Sequence, residues 1–395
     1  MGQLSAAAAQ LLRRLDSLAP EFAPHFDAAE QLARLPAAIS GPLLREGFFR
    51  LWIPAAHGGL ELSLGDALRI YEAAAALDGS LGWAVMIGAG GGLFAAWLPA
   101  AAAQELFAPP LALVAGSGSP SGFAEQVPGG YRVRGVWRYA SGAHDASVFT
   151  AACVVTAGGV AVLDAHGKPL VRAMSIPPAA VRILDTWNPT GMRGTGSHDF
   201  EVREALVPEH HSFSVLTDAP RAPGALYRLP FSVLTELPVS AVGLGITRHA
   251  LQQFAVTATR SAAVSTRFAQ AAAVLAQARS ALADLAHDAW RTVSQGGALD
   301  ATQLARITAV CGVAQEQLRQ ALAALASVGG MRAIEQRSGF SRAWRDLQTL
   351  GAHGCLAPQR LEAAGSVLLD QAARSDTISC ACVATGGAQT LPEHT

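Results

Sequence analysis

The sequence is poor in charge and in cysteine. Charged residues make up only 15% of its 395 residues, the formal net charge is -1, and no basic run is present. Because nucleic-acid binding needs a positive surface, this class of function is excluded. Of the five cysteines only Cys380 and Cys382 lie close together, and no second pair or nearby histidine completes a zinc site. We therefore expect a reduced, cytoplasmic protein without a metal.

Targeting and membrane signals are also missing. The Ala-rich N-terminus carries two arginines and an aspartate among its first 16 residues, which does not fit a secretory signal. The uncharged run 81–103 is long enough to cross a bilayer, but the GAGGG of 88–92 and Pro99 interrupt it. We expect a pair of buried helices here and no membrane span. The glycines also lack the strand-turn-helix setting of a dinucleotide fingerprint.

What the sequence does have is apolar surface. Hydrophobic residues reach 51%, and so few charges remain for the exterior that part of this surface must lie between subunits. A homo-oligomer is the simplest outcome. The length predicts two or three packed units rather than one small core.

The residue pattern changes twice along the chain. Helical periodicity dominates 1–110, short strand-like runs separated by turns occupy 111–228, and long Ala-rich helical stretches return in 229–375. The last segment, 376–395, has no helical stripe and is expected to be loosely ordered. The order predicts an α+β protein: an N-terminal helical domain, a central β-barrel or sandwich and a C-terminal four-helix bundle.

The stretch 341–354, SRAWRDLQTLGAHG, contains the first candidate for chemistry. In a helix Arg342 and Asp346 stand at i,i+4, and His353 follows Asp346 by about two turns. A histidine placed there titrates near neutral pH and can move a proton. On spacing alone the alternative stays open that Arg342 and Asp346 form a surface pair and His353 is an ordinary loop residue.

Several stretches together resemble the acyl-CoA dehydrogenase superfamily over nearly the whole chain. These are GVWRYASG at 135–142, DTWNPTGMRGTGSHDFEVREALVPE at 185–209, the glycine pair Gly329–Gly330 and the Arg345–Asp346 pair. Dehydrogenases of this fold carry a catalytic glutamate shortly after the Arg-Asp pair. Here histidine, His353, stands in that place. This substitution makes the chain most similar to the flavin-dependent monooxygenase branch.

The resemblance implies a two-component reaction. Reduced FAD or FMN from a separate NAD(P)H-dependent flavin reductase would react with O₂ to form a C4a-hydroperoxide. That species would hydroxylate or epoxidise a small neutral aromatic substrate resembling an indole or phenol. His353 would give a proton to the peroxide or take one from the substrate, and Ser141 would hydrogen-bond the flavin near N5.

The resemblance also suggests where the cofactor and substrate lie. An arginine and the glycine pair of a neighbouring subunit would approach the flavin phosphates, which implies a tetramer. Arg260 is the arginine that fits this role best, and Arg267 is the alternative. The cofactor-binding candidates are Tyr139, Ser141, Trp187, Arg260, Gly329, Gly330 and Asp346, and the substrate-binding candidates are Trp83, Phe94 and Phe231.

One departure and two rival functions remain. Many relatives in the monooxygenase branch have a second histidine where this chain has Gly91. Either His353 acts alone, or the glycines enlarge the pocket. An acyl-CoA dehydrogenase or oxidase is the first rival, although its glutamate is missing. A non-catalytic scaffold of the same fold is the second.

Overall fold

Six α-helices form the N-terminal part of the protein. The structure, a computed structural model, describes residues 3–374. The tail predicted at 376–395, with Cys380 and Cys382, lies outside the described residues. The six helices are α1 (Ala6–Phe22), α2 (Phe26–Leu32), α3 (Ala37–Arg45), α4 (Leu64–Ala75), α5 (Gly79–Gly92) and α6 (Ala100–Phe107).

Side-chain caps fix where several of these helices begin. Ser63 accepts a hydrogen bond from the backbone of Asp66 at the start of α4, and Asp78 accepts from Ser80 and Leu81 at the start of α5. Among the described residues one segment, Gly79–Ala96, is long and apolar enough to span a membrane, and 78% of it is buried inside the protein. The prediction of a buried helix is therefore confirmed.

Eight strands form one mixed sheet in the middle of the chain. Its order is β6-β7-β2-β1-β3-β5-β8, with β4 paired to β3, and β1 and β3 run parallel. The β1–β3 register shifts between Ser117 and Gly122, where the pairing is irregular. The strands are β1 (Val114–Val127), β2 (Gly130–Ala140), β3 (Val148–Ala157), β4 (Val160–Ala161), β5 (Val171–Ile176), β6 (Arg182–Leu184), β7 (His198–Pro208) and β8 (Ser212–Phe213).

Long helices return after the sheet. The helix α7 is buried along most of its length and packs against helices of both halves of the chain, so the two helical parts share one hydrophobic core. The predicted α+β architecture is thereby confirmed, and the central part, expected to be a β-barrel or sandwich, is one mixed sheet. The helices are α7 (Val233–Thr257), α8 (Ala262–Ser294), α9 (Ala301–Ala326), α10 (Met331–Ile334), α11 (Gly339–Gly351) and α12 (Pro358–Arg374).

Candidate active site

A cavity of about 300 Å³ lies where the three parts of the chain meet. Helix α5 forms one wall, residues of strands β1, β3 and β5 form the second, and the start of α7 forms the third. Phe94, Phe213 and Phe231 make an aromatic corner, with ring centroids 5.0 and 6.4 Å from Phe94. Two substrate-binding candidates, Phe94 and Phe231, therefore lie together in the lining.

The lining is apolar and uncharged apart from one histidine. Among the described residues that line the cavity, none is Asp, Glu, Lys or Arg, and His353 is the one titratable imidazole. Small hydroxyl side chains supply the remaining polarity: Ser117, Thr150, Ser214 and Thr235. Such a cavity suits a neutral ring system, because an ionic group would lose its hydration there without a partner of opposite charge.

His353 reaches the cavity from the turn that follows α11. The residue is exposed to the open space, while the atoms packed around the ring partly desolvate it and lower its pKa, which favours the neutral imidazole. The backbone N–H of Cys355 donates to Nδ1 at 3.3 Å, and Cys355 Sγ lies 3.1 Å from the same nitrogen, where its S–H can donate as well. Because Nδ1 accepts this bond, the proton of the neutral ring is on Nε2. His353 is thus arranged as a hydrogen-bond donor through Nε2.

Trp83 connects His353 to the sheet. Its ring meets the imidazole edge-on with centroids 5.2 Å apart, and its Nε1–H donates to Ser141 Oγ at 2.9 Å. The structure therefore brings three of the predicted residues, from α5, the turn after β2 and the turn after α11, into one continuous set of contacts. Ser141 is buried, with 7% of the residue exposed.

Two further hydroxyl groups continue from Ser141. Its Oγ lies 2.7 Å from Ser197 Oγ, which lies 2.7 Å from Thr195 Oγ1, and Thr195 donates to the carbonyl of Met192 at 2.8 Å. We call Ser141, Ser197 and Thr195 the hydroxyl chain. The sequence analysis missed Ser197 and Thr195, although the stretch 185–209 contains both. The signal was the group GTGS, in which glycines separate two small hydroxyl residues.

Tyr139 and Trp187 form an aromatic pair on the surface beside the hydroxyl chain. Tyr139 adopts φ +67°, unusual for a bulky residue, where β2 loses register with β7. This bulge turns its side chain outward, leaving it 62% exposed. The two rings meet edge-on at 6.0 Å, and Trp187 Nε1 donates to the Met192 carbonyl. Strained backbone and exposed aromatic surface together favour a ligand site.

Asp346 does not pair with either neighbouring arginine. Its Oδ1 accepts from the backbone N–H of Met192, while Arg342 binds Asp27 and Glu30, and Arg345 binds Glu30 at 2.6 Å. The pair of Arg342 and Asp346 that spacing allowed is absent from the described residues. Asp346 instead connects α11 to the turn at Met192, where the hydroxyl chain ends. Met192 has φ +55° in this turn.

Asp346 is buried close to a second buried acid, Asp78. Desolvation, with the charge of Asp78, raises the pKa of Asp346 from 3.8 to about 8. The folded state then binds more protons than the unfolded state between about pH 4 and 8. The contribution of Asp346 to the free energy of unfolding is therefore fully present below the pKa of the unfolded state. It is lost as the pH rises through the pKa of the folded state.

Asp346→Asn should remove much of this pH dependence. The amide oxygen can still accept from Met192, but it does not ionise. The free energy of unfolding of the variant relative to the native protein should rise between pH 5 and pH 8 by on the order of 2 kcal/mol. Urea unfolding at the two pH values measures the difference. Asp16→Asn, an exposed acid on α1, is the matched control, and an equal pH response in native protein and Asp346→Asn would contradict the assignment.

The remaining cofactor candidates lie elsewhere. Arg260 is exposed just after α7, and Gly329 packs on Phe254 near the same end of that helix. Gly330 has φ +66° and open space beside it, and Arg267 bonds Gln270 on the surface of α8. None of these four lines the cavity of this chain. Their predicted role in a neighbouring subunit's site stays a prediction.

The glycine run belongs to α5, and its members differ in the space that surrounds them. A Cβ at Gly91 would lie 2.6 Å from Val114 Cβ, so no side chain fits there without a shift of the sheet. A Cβ at Gly90 meets nothing within 4 Å, and Gly90 lines the cavity. The glycines therefore allow close packing at one position and leave empty space at the other.

Comparison with known proteins identifies the family. Residues 239–358 match the model of the acyl-CoA dehydrogenase C-terminal domain. The chain is 30% identical over 338 residues to the indole-3-acetate monooxygenase of Pseudomonas putida, covering 81% of this chain and 84% of that protein. The chain belongs to the flavin-dependent monooxygenases. They are a branch of the acyl-CoA dehydrogenase superfamily, as the sequence motifs indicated.

Two further relatives of the monooxygenase support this placement. The oxygenase subunit of a flavin-dependent monooxygenase, HsaA of Rhodococcus jostii, is 30% identical over 60% of this chain and 62% of its own length. The structure of XiaF from Streptomyces sp., solved with FADH₂ and glycerol, superposes with a TM-score of 0.83 at 25% identity, covering 92% of this chain and 96% of XiaF. The enzyme is accordingly an oxygenase component that uses reduced flavin.

The residues of the monooxygenase fit a flavin beside the hydroxyl chain. The exposed ring of Tyr139 and the half-buried ring of Trp187 offer an apolar platform, and Tyr139 stands in a strained bulge two residues before Ser141. In contrast, a dehydrogenase would need a carboxylate beside the substrate carbon, and the described lining has none. The missing glutamate thus argues against that rival in the structure as it did in the sequence.

Proposed function

We propose that the enzyme hydroxylates or epoxidises a small, neutral aromatic or heteroaromatic molecule, such as an indole or a phenol. The observation that carries this proposal is the uncharged, partly aromatic lining of a cavity that also contains His353. Its volume of about 300 Å³ suits one small ring system. An anionic or CoA-linked substrate would find no cation among the described lining residues.

Each part of the site has a role in this reaction. Reduced flavin, when bound, supplies the two electrons with which O₂ is split between the product and water. Phe94 and Phe231 hold the ring of the substrate and exclude water, with Trp83 packed behind His353. His353 donates a hydrogen bond or a proton from Nε2 toward the reacting oxygen, since Nδ1 is occupied by the Cys355 backbone.

A substrate series tests this assignment. Indole, indole-3-acetate and phenol are each supplied with O₂ and photoreduced FMN or FAD, and oxygenated product is measured by liquid chromatography. We expect indole to be converted at least about tenfold more efficiently than indole-3-acetate, because burying the carboxylate without a cation is costly. Preference for the acid would contradict the neutral-substrate proposal. Bleaching of oxidised flavin by an acyl-CoA would favour the dehydrogenase rival instead.

The proposal also includes a partner reductase, a cellular location and an oligomeric state. An NAD(P)H-dependent reductase would deliver reduced flavin, and the cytoplasm, which supplies NAD(P)H and keeps thiols reduced, would be its location. Four copies would assemble so that Arg260, Gly329 and Gly330 approach the flavin phosphates of a neighbouring subunit. The exposed positions of Arg260 and Gly330 at one end of the bundle, with Gly329 beside them, support this arrangement.

Light scattering combined with variants tests the assembly. The native protein should have the mass of four chains, and Arg260→Ala should weaken flavin binding about tenfold with the mass unchanged. Arg291→Ala is the matched control, because it removes an exposed arginine of α8 that pairs with Asp288 of the same helix and has no proposed role in flavin binding. A monomer that binds flavin as tightly as the predicted tetramer would contradict a shared site.

A further inference from the structure

The hydrogen atoms of the hydroxyl chain can be assigned from its two ends. At one end the Met192 carbonyl only accepts, so the proton of Thr195 points at it. Each hydroxyl has a single proton, and the short contact between Ser197 and Thr195 must therefore use the proton of Ser197. By the same argument the contact between Ser141 and Ser197 uses the proton of Ser141.

The other end of the chain is compatible with this direction. The indole N–H of Trp83 only donates, and it donates to Ser141 Oγ. Ser141 thus accepts once and donates once within the protein. Its oxygen keeps one lone pair, and it has no proton left to offer. The Met192 carbonyl also accepts from Trp187 Nε1 and from the Thr195 backbone N–H, which fixes that end of the chain in place.

We propose that the hydroxyl chain makes Ser141 a hydrogen-bond acceptor toward the flavin, so that the site selects reduced over oxidised flavin. The inference rests on the proposed function, in which Ser141 lies at the N5 edge of the flavin. Reduced flavin carries a hydrogen on N5 and can donate to the lone pair of Ser141. Oxidised N5 only accepts, so Ser141 would have to turn its proton away from Ser197 and leave a buried acceptor unpaired.

Ser197 and Thr195 are positioning residues in this account. They do not touch the flavin, and their effect comes through the direction of the proton on Ser141. Such selection serves an oxygenase component, because reduced flavin has to bind while the oxidised product has to leave. The loss of one buried hydrogen bond corresponds to a preference of roughly tenfold.

The test is the ratio of two dissociation constants for FMN, oxidised over reduced, measured anaerobically by titration. Ser197→Ala frees the proton of Ser141 to meet oxidised N5, and the ratio should fall about tenfold. For a two-electron couple, this change lowers the midpoint potential of the bound flavin by about 30 mV. Thr195→Val should lower the ratio in the same direction, since Ser197 can then turn its own proton toward Ser141. Ser197→Thr retains the hydroxyl and should keep the native ratio.

Ser175→Ala is the control, because it removes a buried hydroxyl of β5 that has no hydrogen-bond partner. Thermal unfolding establishes that each variant is folded. If folded Ser197→Ala and Thr195→Val both bind flavin with the native ratio, the inference is wrong while the proposed function stands. If the native protein binds flavin in neither oxidation state, the proposed function itself is wrong and the inference falls with it.

Discussion

Replacement of His353 by alanine is expected to lower the rate of product formation by about a hundredfold or more, the usual effect of losing a general acid or base. The imidazole is the one group in the described lining of the cavity that titrates near neutral pH, and the hydroxyl groups around it do not exchange a proton in this range. Flavin binding should change little, because the hydroxyl chain and the Tyr139–Trp187 pair are untouched. Product formed in a single turnover from reduced FMN and O₂ is the measurement.

Two further variants sharpen this result. His353→Asn keeps an N–H donor but not a titratable proton, so it separates hydrogen bonding from proton transfer. His166→Ala removes an exposed histidine of a sheet turn and is the matched control. Native turnover in His353→Ala would remove His353 from the mechanism. Recovery of most activity in His353→Asn would assign it a hydrogen-bonding role.

Filling the space beside Gly90 is expected to raise the KM for the aromatic substrate at least about tenfold. A Cβ built at Gly90 meets no atom within 4 Å, and the residue lines the cavity, so the side chain of Gly90→Leu occupies volume that the ring needs. The substitution should not unfold the protein, because leucine favours a helix more than glycine does. Steady-state kinetics with indole measures the effect, with flavin binding measured in parallel.

Gly312→Leu is the matched control for this variant. It introduces the same side chain into open space on another helix, α9, away from the cavity. An unchanged KM in Gly90→Leu would place the substrate elsewhere. Gly91→Leu, in contrast, should destabilise the fold, because its Cβ overlaps Val114 in the sheet.

The fold was predictable because its signals are local. The apolar periodicity of 270–290 and 301–326 indicated helices that the structure has as α8 and α9, and the turn residues around 129–130 separated two strands that pair in the sheet. Residues that face each other across the fold gave no such signal. Ser197 lies 56 residues from Ser141, and Met192 lies 154 residues from Asp346. Contacts between residues this far apart in the sequence leave no local pattern from which they could be predicted.

The candidate site was only partly predictable for the same reason. The sequence motifs led to Ser141, His353 and Asp346, but the bond from Cys355 that fixes the tautomer of His353 depends on a turn that the motifs do not specify. The run of glycines at 88–92 also looks uniform in the sequence. Only the packing of α5 against β1 distinguishes Gly91, which has no room for a side chain, from Gly90, which does.

Isotope incorporation tests the central claim most directly. The protein is mixed anaerobically with photoreduced FMN and indole, exposed to ¹⁸O₂ in ordinary water, and the product is analysed by mass spectrometry. A monooxygenase transfers one atom of O₂, so the product should gain one ¹⁸O. Reoxidation of the flavin to give only labelled hydrogen peroxide, or oxygenated product with oxygen from water, would contradict monooxygenation in this cavity.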